Sequence, residues 1–432
     1  MTGNNIAATT TGKPVRGHSR RLDPSDSAGL IAVAGESMFA NYSQAPLVVD
    51  KGHGCYLVTV EGTRYLDFTA GNAVSCLGYS HPAVTAAIAS QATRILHSSN
   101  LVHNRQAILL AEQLCARTPF DRAFFCTSGS EANEAMLKLA RRYHHERGQP
   151  RTHIISTTTG FHGRTYGALS VTGAARHKTG TGPHLPDVTH IPFNSINAAA
   201  SVIGPHTAAM IVETVQAEAG VLVADHAYLR GLRELCDRHG ALLLFDEVQT
   251  GVCRTGPLLS SRVIPDACSL AKGLAAGLPI GAVLARENLA SAWPVGSHAS
   301  TFGGNPVTAA AAAAVLQTLD AENIPEHVQR MGAILAAGLD ALVADPNVPA
   351  VATRGVGLLR GLELDDTVDA DAVLTQLREH GLLLSVVAQR VLRFTPPLVI
   401  TDAELASGLA TLGAVLRQRG PRTRALASTS KG

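Results

Sequence analysis

ALLLFDEVQTG, residues 241–251, runs five apolar residues straight into Asp246. An unbroken apolar run of that length predicts a strand buried on both faces, as a parallel sheet requires. A carboxylate at the end of such a strand is costly unless paired. Asp246 is therefore either a structural hydrogen-bond partner or a site group, and its place at a strand's carboxyl end favours the site.

Outward from this run, RAFFC (122–126), HIIST (153–157), AAMIVE (208–213) and IGAVLA (280–285) have the same character and alternate with helical patterns. The alternation predicts an α/β domain with a mostly parallel sheet covered on both faces, its ligands at the carboxyl ends of the strands. The flanks differ. GCYLVTVEGTRYLDF (54–68) reads as a hairpin around Glu61 and Gly62, and the chain beyond about residue 320 mixes helical patterns with LLRGLEL and RVLRF. Both ends are expected to join in a smaller α+β domain. NPVTAAAAAAVLQTL (305–319) reads as a helix with Pro306 in its first turn. The predicted organisation is a disordered leader (1–28), an N-terminal part of the small domain (29–75), a large domain (76–318), a C-terminal small domain (319–419) and a disordered tail (420–432).

The 432 residues carry 36 Lys and Arg against 34 Asp and Glu, a net charge of +2 that offers no footprint for nucleic acid or an anionic membrane. The expected partner is a small molecule. The seven cysteines are scattered without a C-x-x-C pair, which predicts neither a zinc site nor a disulfide framework and fits a cytoplasmic protein. The opening residues 1–27 are polar and lack the apolar stretch of a signal peptide, and no later run reaches the length of a membrane span.

In FFCTSGSEANEAMLKLARRYH (124–144) a strand passes through Ser128, Gly129 and Ser130 into an amphipathic helix. A strand, a small-residue turn and a free helix N-terminus make an anion site, although read alone the turn is also an ordinary N-cap. Lys272, in PDACSLAKGLAAGLPIGAVLA (265–285), stands among apolar residues and glycines. Alone, such a lysine either snorkels to solvent or is a desolvated amine able to form a Schiff base. A phosphate cradle, a buried acid and this lysine together meet the needs of pyridoxal 5′-phosphate: an anion to hold, a ring nitrogen to pair and an aldehyde to bind. No metal site is expected.

TSGSEANEAMLKLAR, GFHGRTYGALSVTG, LLLFDEVQTGVCRTG, PDACSLAKGL, GSHASTFGGNP and VLRFTPPLVIT, in this order, resemble the class III aminotransferases of the type I pyridoxal-phosphate fold, closest to the acetylornithine and ornithine branch. The resemblance covers roughly residues 38–418 and implies a seven-stranded sheet. It implies that Lys272 is the Schiff-base lysine and Asp246 the ring-nitrogen partner. Val248 would pack beneath the ring, Phe161 on its other face and Gln249 at the phenolic oxygen. Ser128, Gly129 and Ser130 would hold the phosphate, with Glu247 beside Asp246. Thr301 resembles the threonine that reaches the phosphate of a neighbouring subunit, which implies a homodimer.

On the substrate side the resemblance implies that Arg164 and Tyr42 hold the α-carboxylate, with Ser300 nearby, so that the distal amine reaches the cofactor. Glu218 and Arg393 resemble a pair in which the glutamate covers the arginine while the amino donor is bound, then frees it for the second carboxylate of 2-oxoglutarate. Gly71, in AGNAV, resembles the acetylornithine type, whereas the ornithine type carries a tyrosine near there. The implied function is ω-aminotransfer from N-acetylornithine or a close diamino acid to 2-oxoglutarate, in arginine biosynthesis. Ornithine, γ-aminobutyrate or another ω-amino acid of a secondary pathway is the alternative, and a regulator without turnover is a different class of reading. The family's E-P-x-Q-G-E reads ETVQAE here, with Thr214 and Ala217 as departures, and the segment between Gly256 and Pro265 is a few residues short.

Overall fold

The computed structural model describes residue 23 and residues 25–421. The expected leader, up to residue 22, and the expected tail beyond residue 421 lie outside the described residues. Among the described residues two compact units emerge, one ending at residue 51 and including 57–64, the other comprising 52–56 and the described chain from 65 on. In the first, a helix over Ser27–Ser37 starts at Asp26, whose side chain accepts the Ala28 N–H. The Glu61 carboxylate accepts the Ser27 N–H at 3.1 Å. The turn read at Glu61 and Gly62 is closed by hydrogen bonds from Thr59 N to Thr63 O and from Gly62 N to Thr59 O.

The second unit is built on seven strands: β1 (Arg122–Cys126), β2 (His153–Thr157), β3 (Val188–Ile191), β4 (Thr207–Glu213), β5 (Leu242–Asp246), β6 (Ala267–Leu270) and β7 (Gly281–Ala285). Their spatial order is β1-β7-β6-β5-β4-β2-β3. Only β7 runs antiparallel to its neighbours; β6, β5, β4, β2 and β3 pair in parallel. This is the mostly parallel α/β sheet expected from the sequence. The short strands β3 and β6 are additions to the runs read there.

Successive strand residues enter different cores. Ile154, Ile211 and Leu244 pack with Ala135, Met136 and Leu139 of helix α1 (Gly129–Glu146). Their neighbours Ile155, Met210 and Leu243 pack on the other face with Leu232 of α2 (His226–His239). All seven residues of β4 are buried. Burying each large apolar side chain contributes about 1.5–3 kcal/mol, so continuous apolar runs are stable only where helices cover both faces. The alanine-rich stretch forms α3 (Pro306–Ala321), with Pro306 in its first turn and the Asn305 side chain accepting the Val307 and Thr308 N–H groups.

An antiparallel sheet of β8 (Ala350–Val356), β9 (Leu359–Leu364), β10 (Ser385–Val387) and β11 (Val391–Phe394) follows, in the order β8-β9-β11-β10. In it Arg393 faces Gly361 on one side and Ser385 on the other. Leu66 and Asp67 pair in parallel with Leu382 and Leu383. No described helix is long and apolar enough to cross a membrane.

Candidate active site

The parallel strands deliver their carboxyl ends to one edge: Cys126, Glu213, Asp246 and Leu270 end β1, β4, β5 and β6. A cavity of roughly 340 Å³ opens there, lined by Ser128, Gly129, Ser130, Asn133, Phe161, His162, Glu213, Glu218, Asp246, Val248, Gln249 and Lys272 among others.

Asp246 is 5% exposed. One carboxylate oxygen accepts Asn133 Nδ2 at 2.7 Å and faces His162 Nδ1 at 2.8 Å. The other accepts the Val248 N–H at 3.0 Å and the Ser269 hydroxyl at 3.3 Å. Burial pushes this carboxyl up, but His162, the Val248 amide and Asn133 outweigh it and leave it below the usual carboxylate range. The network closes on itself: Ser269 donates to Asn133 Oδ1 at 2.8 Å, and Asn133 donates again to His162 O at 2.7 Å. His162 Nε2 is buried without a partner.

Glu213 stands opposite Asp246 on the adjacent strand. Its Oε2 accepts the Phe161 N–H at 3.1 Å. Burial first, then the Asp246 charge, raises its pKa well above the usual value.

Lys272 follows β6 with a positive φ of 44°, a strained conformation that turns the chain at the cavity wall. Cys76 braces the next residue, donating its S–H to Gly273 O at 3.0 Å. Burial, then repulsion from Arg393, lowers the lysine's pKa to about 8, against the opposing pull of Glu218, Asp246 and Glu213. A neutral amine is thereby accessible near neutral pH.

At the start of α1 the Ser128 hydroxyl accepts the Glu131 N–H at 3.2 Å, and Glu131 in turn accepts the Thr127 N–H at 2.6 Å. A Cβ on Gly129 would lie 2.7 Å from a Val248 methyl, and one on Gly163 only 2.3 Å from Ser130 Oγ. Glycine therefore keeps this turn close to the cavity floor. Phe161 lines the cavity, and the exposed Arg164 places its guanidinium 5.6 Å from that ring.

Arg393 is 3% exposed and forms an ion pair with Glu218. Burial pushes the Glu218 carboxyl up, but Arg393 outweighs it and holds the group below its usual range. Arg393 Nη1 also donates to Gln249 Oε1 at 3.4 Å, and Nη2 to Asn72 Oδ1 at 2.9 Å.

Other residues singled out in the sequence stand elsewhere. Glu247 is turned from the cavity: its carboxylate accepts the Thr250 hydroxyl, the Ser260 N–H at 3.0 Å and the Ser260 hydroxyl at 2.7 Å. Thr214 shares a short hydroxyl hydrogen bond with the same Ser260. One departure from the family pattern thus meets the shortened loop. Thr301 lines a second cavity with His97, Asn104 and Phe302, and Ser300 O accepts Asn100 Nδ2 at 2.8 Å beside it. Tyr42 belongs to the first unit and is 70% exposed. Gly71 has φ 58°, and a Cβ there would meet nothing within 4 Å.

Reading the sequence passed over Asn133, His162, Glu213 and Asn72. Asn133 and His162 lie inside quoted motifs, where an amide and an imidazole next to an anion turn are a usable signal. Asn72 offered none.

The model of the class III aminotransferase family matches residues 38–416. Acetylornithine aminotransferase 1 of Bradyrhizobium diazoefficiens is 42% identical over 375 residues, covering 86% of this chain and 92% of that protein. The crystal structure of the ornithine aminotransferase from Toxoplasma gondii ME49 matches with a TM-score of 0.88 at 32% identity, over 92% of this chain and 96% of that one. That of acetylornithine aminotransferase from Elizabethkingia anophelis gives 0.82 at 30% identity, over 91% and 99%. A family match from residue 38 to 416, on a fold whose strand ends gather a lysine, an acid and an anion turn, makes this chain a member of the class III aminotransferases.

Proposed function

We propose that this aminotransferase moves the distal amino group of N-acetylornithine to 2-oxoglutarate, giving a semialdehyde and glutamate, with pyridoxal 5′-phosphate as cofactor. The observation that carries the reading is a single cavity lined by Lys272, Asp246 and Glu218, with Arg393 paired to Glu218. The relatives' names supply the donor, since the Bradyrhizobium protein is an acetylornithine aminotransferase.

The residues present fit the cofactor. The amides of Gly129 and Ser130 open α1, and the cavity is lined by a carboxylate with a lowered pKa, Asp246, and an amine with a lowered pKa, Lys272. When bound, pyridoxal phosphate supplies an aldehyde for an amine to hold and a ring that accepts an electron pair once its nitrogen is protonated.

Asp246 would keep a proton on the cofactor's ring nitrogen, and its hydrogen-bond partners Asn133, His162, Ser269 and the Val248 amide favour its charged form. Lys272 would hold the cofactor's aldehyde through Nζ, and the same amine would serve as the general base and acid that moves a proton at the reacting carbon. Val248, Phe161 and Gln249 line the same cavity; the first two would bound the cofactor ring and Gln249 would meet its phenolic oxygen. Arg164 would bind the α-carboxylate as a bidentate fork. Glu218 covers Arg393 for the donor and releases it for the acceptor's second carboxylate.

The same reading takes the protein as a cytoplasmic homodimer of arginine biosynthesis, with Thr301 serving the partner's phosphate. All seven cysteines are free thiols, and Leu101 and Phe302, at or beside the second cavity, are 94% and 59% exposed. A donor panel tests the function: acetylornithine, ornithine, succinylornithine, lysine and γ-aminobutyrate, scored by glutamate formed from 2-oxoglutarate. Acetylornithine is expected to give the highest kcat/KM. A faster rate with another donor overturns the donor assignment, and no glutamate from any donor overturns aminotransfer to 2-oxoglutarate.

A further inference from the structure

Every nitrogen of Arg393 is engaged. Nε donates to Ser385 Oγ at 3.3 Å, Nη1 to Glu218 and to Gln249, and Nη2 to Asn72 Oδ1 at 2.9 Å. An incoming carboxylate binds a guanidinium best through two parallel N–H groups. Withdrawal of Glu218 frees one N–H of Nη1, while Gln249 still accepts from Nη1 and Asn72 from Nη2. The fork stays half occupied while Asn72 remains on Nη2.

We propose that Asn72 is a specificity-determining residue for the second carboxylate of the acceptor, its amide turning between two roles on Arg393. With no carboxylate bound, the amide oxygen accepts from Nη2. When a dicarboxylate arrives, the amide turns about its terminal torsion and its N–H groups face the carboxylate. This rests on the proposed use of Arg393 for 2-oxoglutarate.

The residue type suits the task. A carboxylate at position 72 would hold the guanidinium with a charge-assisted bond roughly twice as strong as a neutral one, and would repel the acceptor. An apolar side chain would leave a buried Nη2 unpaired. An amide carries an acceptor and two donors on one flat group and no charge. Asn72 is also exposed, so water can solvate it as it turns.

The backbone supplies an independent observation. Ala70, Gly71, Asn72 and Ala73 all have positive φ, at 43°, 58°, 63° and 67°. Four consecutive left-handed residues, two of them alanines, form a strained turn. It is tied down by Ala73 N–H to Thr69 O at 2.9 Å and by the Thr395 hydroxyl to Thr69 O at 2.8 Å. Thr395 lies two residues beyond Arg393 on the same segment. The strain is held where it sets the Asn72 amide against the guanidinium.

Asn72→Asp and Asn72→Gly both tolerate a left-handed backbone, so either keeps the turn. The test measures glutarate, an unreactive five-carbon dicarboxylate, binding to the holoenzyme by calorimetry, beside KM for 2-oxoglutarate and the rate of the donor half-reaction. Asn72→Asp is expected to weaken glutarate about tenfold or more and Asn72→Gly about threefold. In both, KM for 2-oxoglutarate should rise several times more than the donor half-reaction slows. Glutarate affinities within about twofold of the unaltered enzyme, or equal losses on both sides, overturn the role of Asn72. If the unaltered enzyme makes glutamate from 2-oxoglutarate yet binds glutarate no better than a monocarboxylate, the Asn72 role falls while aminotransfer stands; if it makes no glutamate, both fall.

Discussion

Asp246 and Arg393 are both buried charges, 5% and 3% exposed, and they differ in what surrounds them. Asp246 is held by Asn133, His162, Ser269 and the Val248 amide, of which the side chains are themselves buried. None of these partners can leave without stranding a polar group away from water. Arg393 is held by Glu218, whose side chain is 35% exposed, and by the exposed Asn72. Those partners can leave because water takes them up. Burial of the partners, more than burial of the charge, separates a fixed electrostatic floor from an exchangeable clamp.

Lys272 feels the charges of both and gives the largest expected effect. Lys272→Met should abolish turnover, and borohydride reduction of the unaltered holoenzyme should mark Lys272; an adduct on another lysine would sink the assignment. The substitution should also stabilise the cofactor-free protein. The folded pKa, about 8, lies below the ordinary lysine value of 10.5. The charged amine is therefore penalised in the folded state, fully below pH 8, and the penalty disappears above about pH 10.5. At pH 7 its removal is worth up to about 3 kcal/mol, read as a higher denaturation midpoint.

Asp246→Asn attacks the fixed floor. If Asp246 has its proposed role, a neutral amide would no longer hold a proton on the ring nitrogen, and single-turnover half-reactions should slow by about 10³. The thermal midpoint reports separately on the buried network. A loss under about tenfold would mean that the carboxylate's charge is not used.

The floor was legible in the sequence and the clamp only partly so. The run into Asp246, the small-residue turn before α1 and the lysine in a glycine-rich segment each announce themselves, because strand burial and helix termini restrict which residues fit. The partners of Asp246 stood unread in the same motifs, for a hydrogen-bond network follows from three-dimensional register: Asn133, Asp246 and Ser269 are far apart in sequence and adjacent in space. Arg393 and Glu218 look like solvated charges without the family resemblance. Attention to Gly71 fell one residue short, since the left-handed turn that aims Asn72 follows from no local propensity of Ala70 or Ala73.

The lowered pKa of Lys272 sets a pH dependence for the cofactor-free protein. Only the neutral amine attacks an aldehyde, so the rate of pyridoxal-phosphate capture should climb about tenfold per pH unit and level off above about pH 8. Stopped-flow absorbance gives the profile. A flat profile from pH 6 to pH 9 would show that the amine is not the titrating group.

Glu218→Gln produces the smallest change and separates the two regions best. Glu218 raises the pKa of Lys272, so its loss should move the midpoint of capture to lower pH. The same substitution removes the charge that covers Arg393, while Asn72 and Gln249 still occupy part of the fork. Discrimination between a donor with an uncharged distal end and one with a second carboxylate should then shift toward the dicarboxylate by about threefold to tenfold. The half-reaction with a dicarboxylate donor should stay near its original rate, because Asp246 and its partners are untouched. If Glu218→Gln slows both donors equally, the glutamate belongs to the fixed floor and Arg393 has no exchangeable cover.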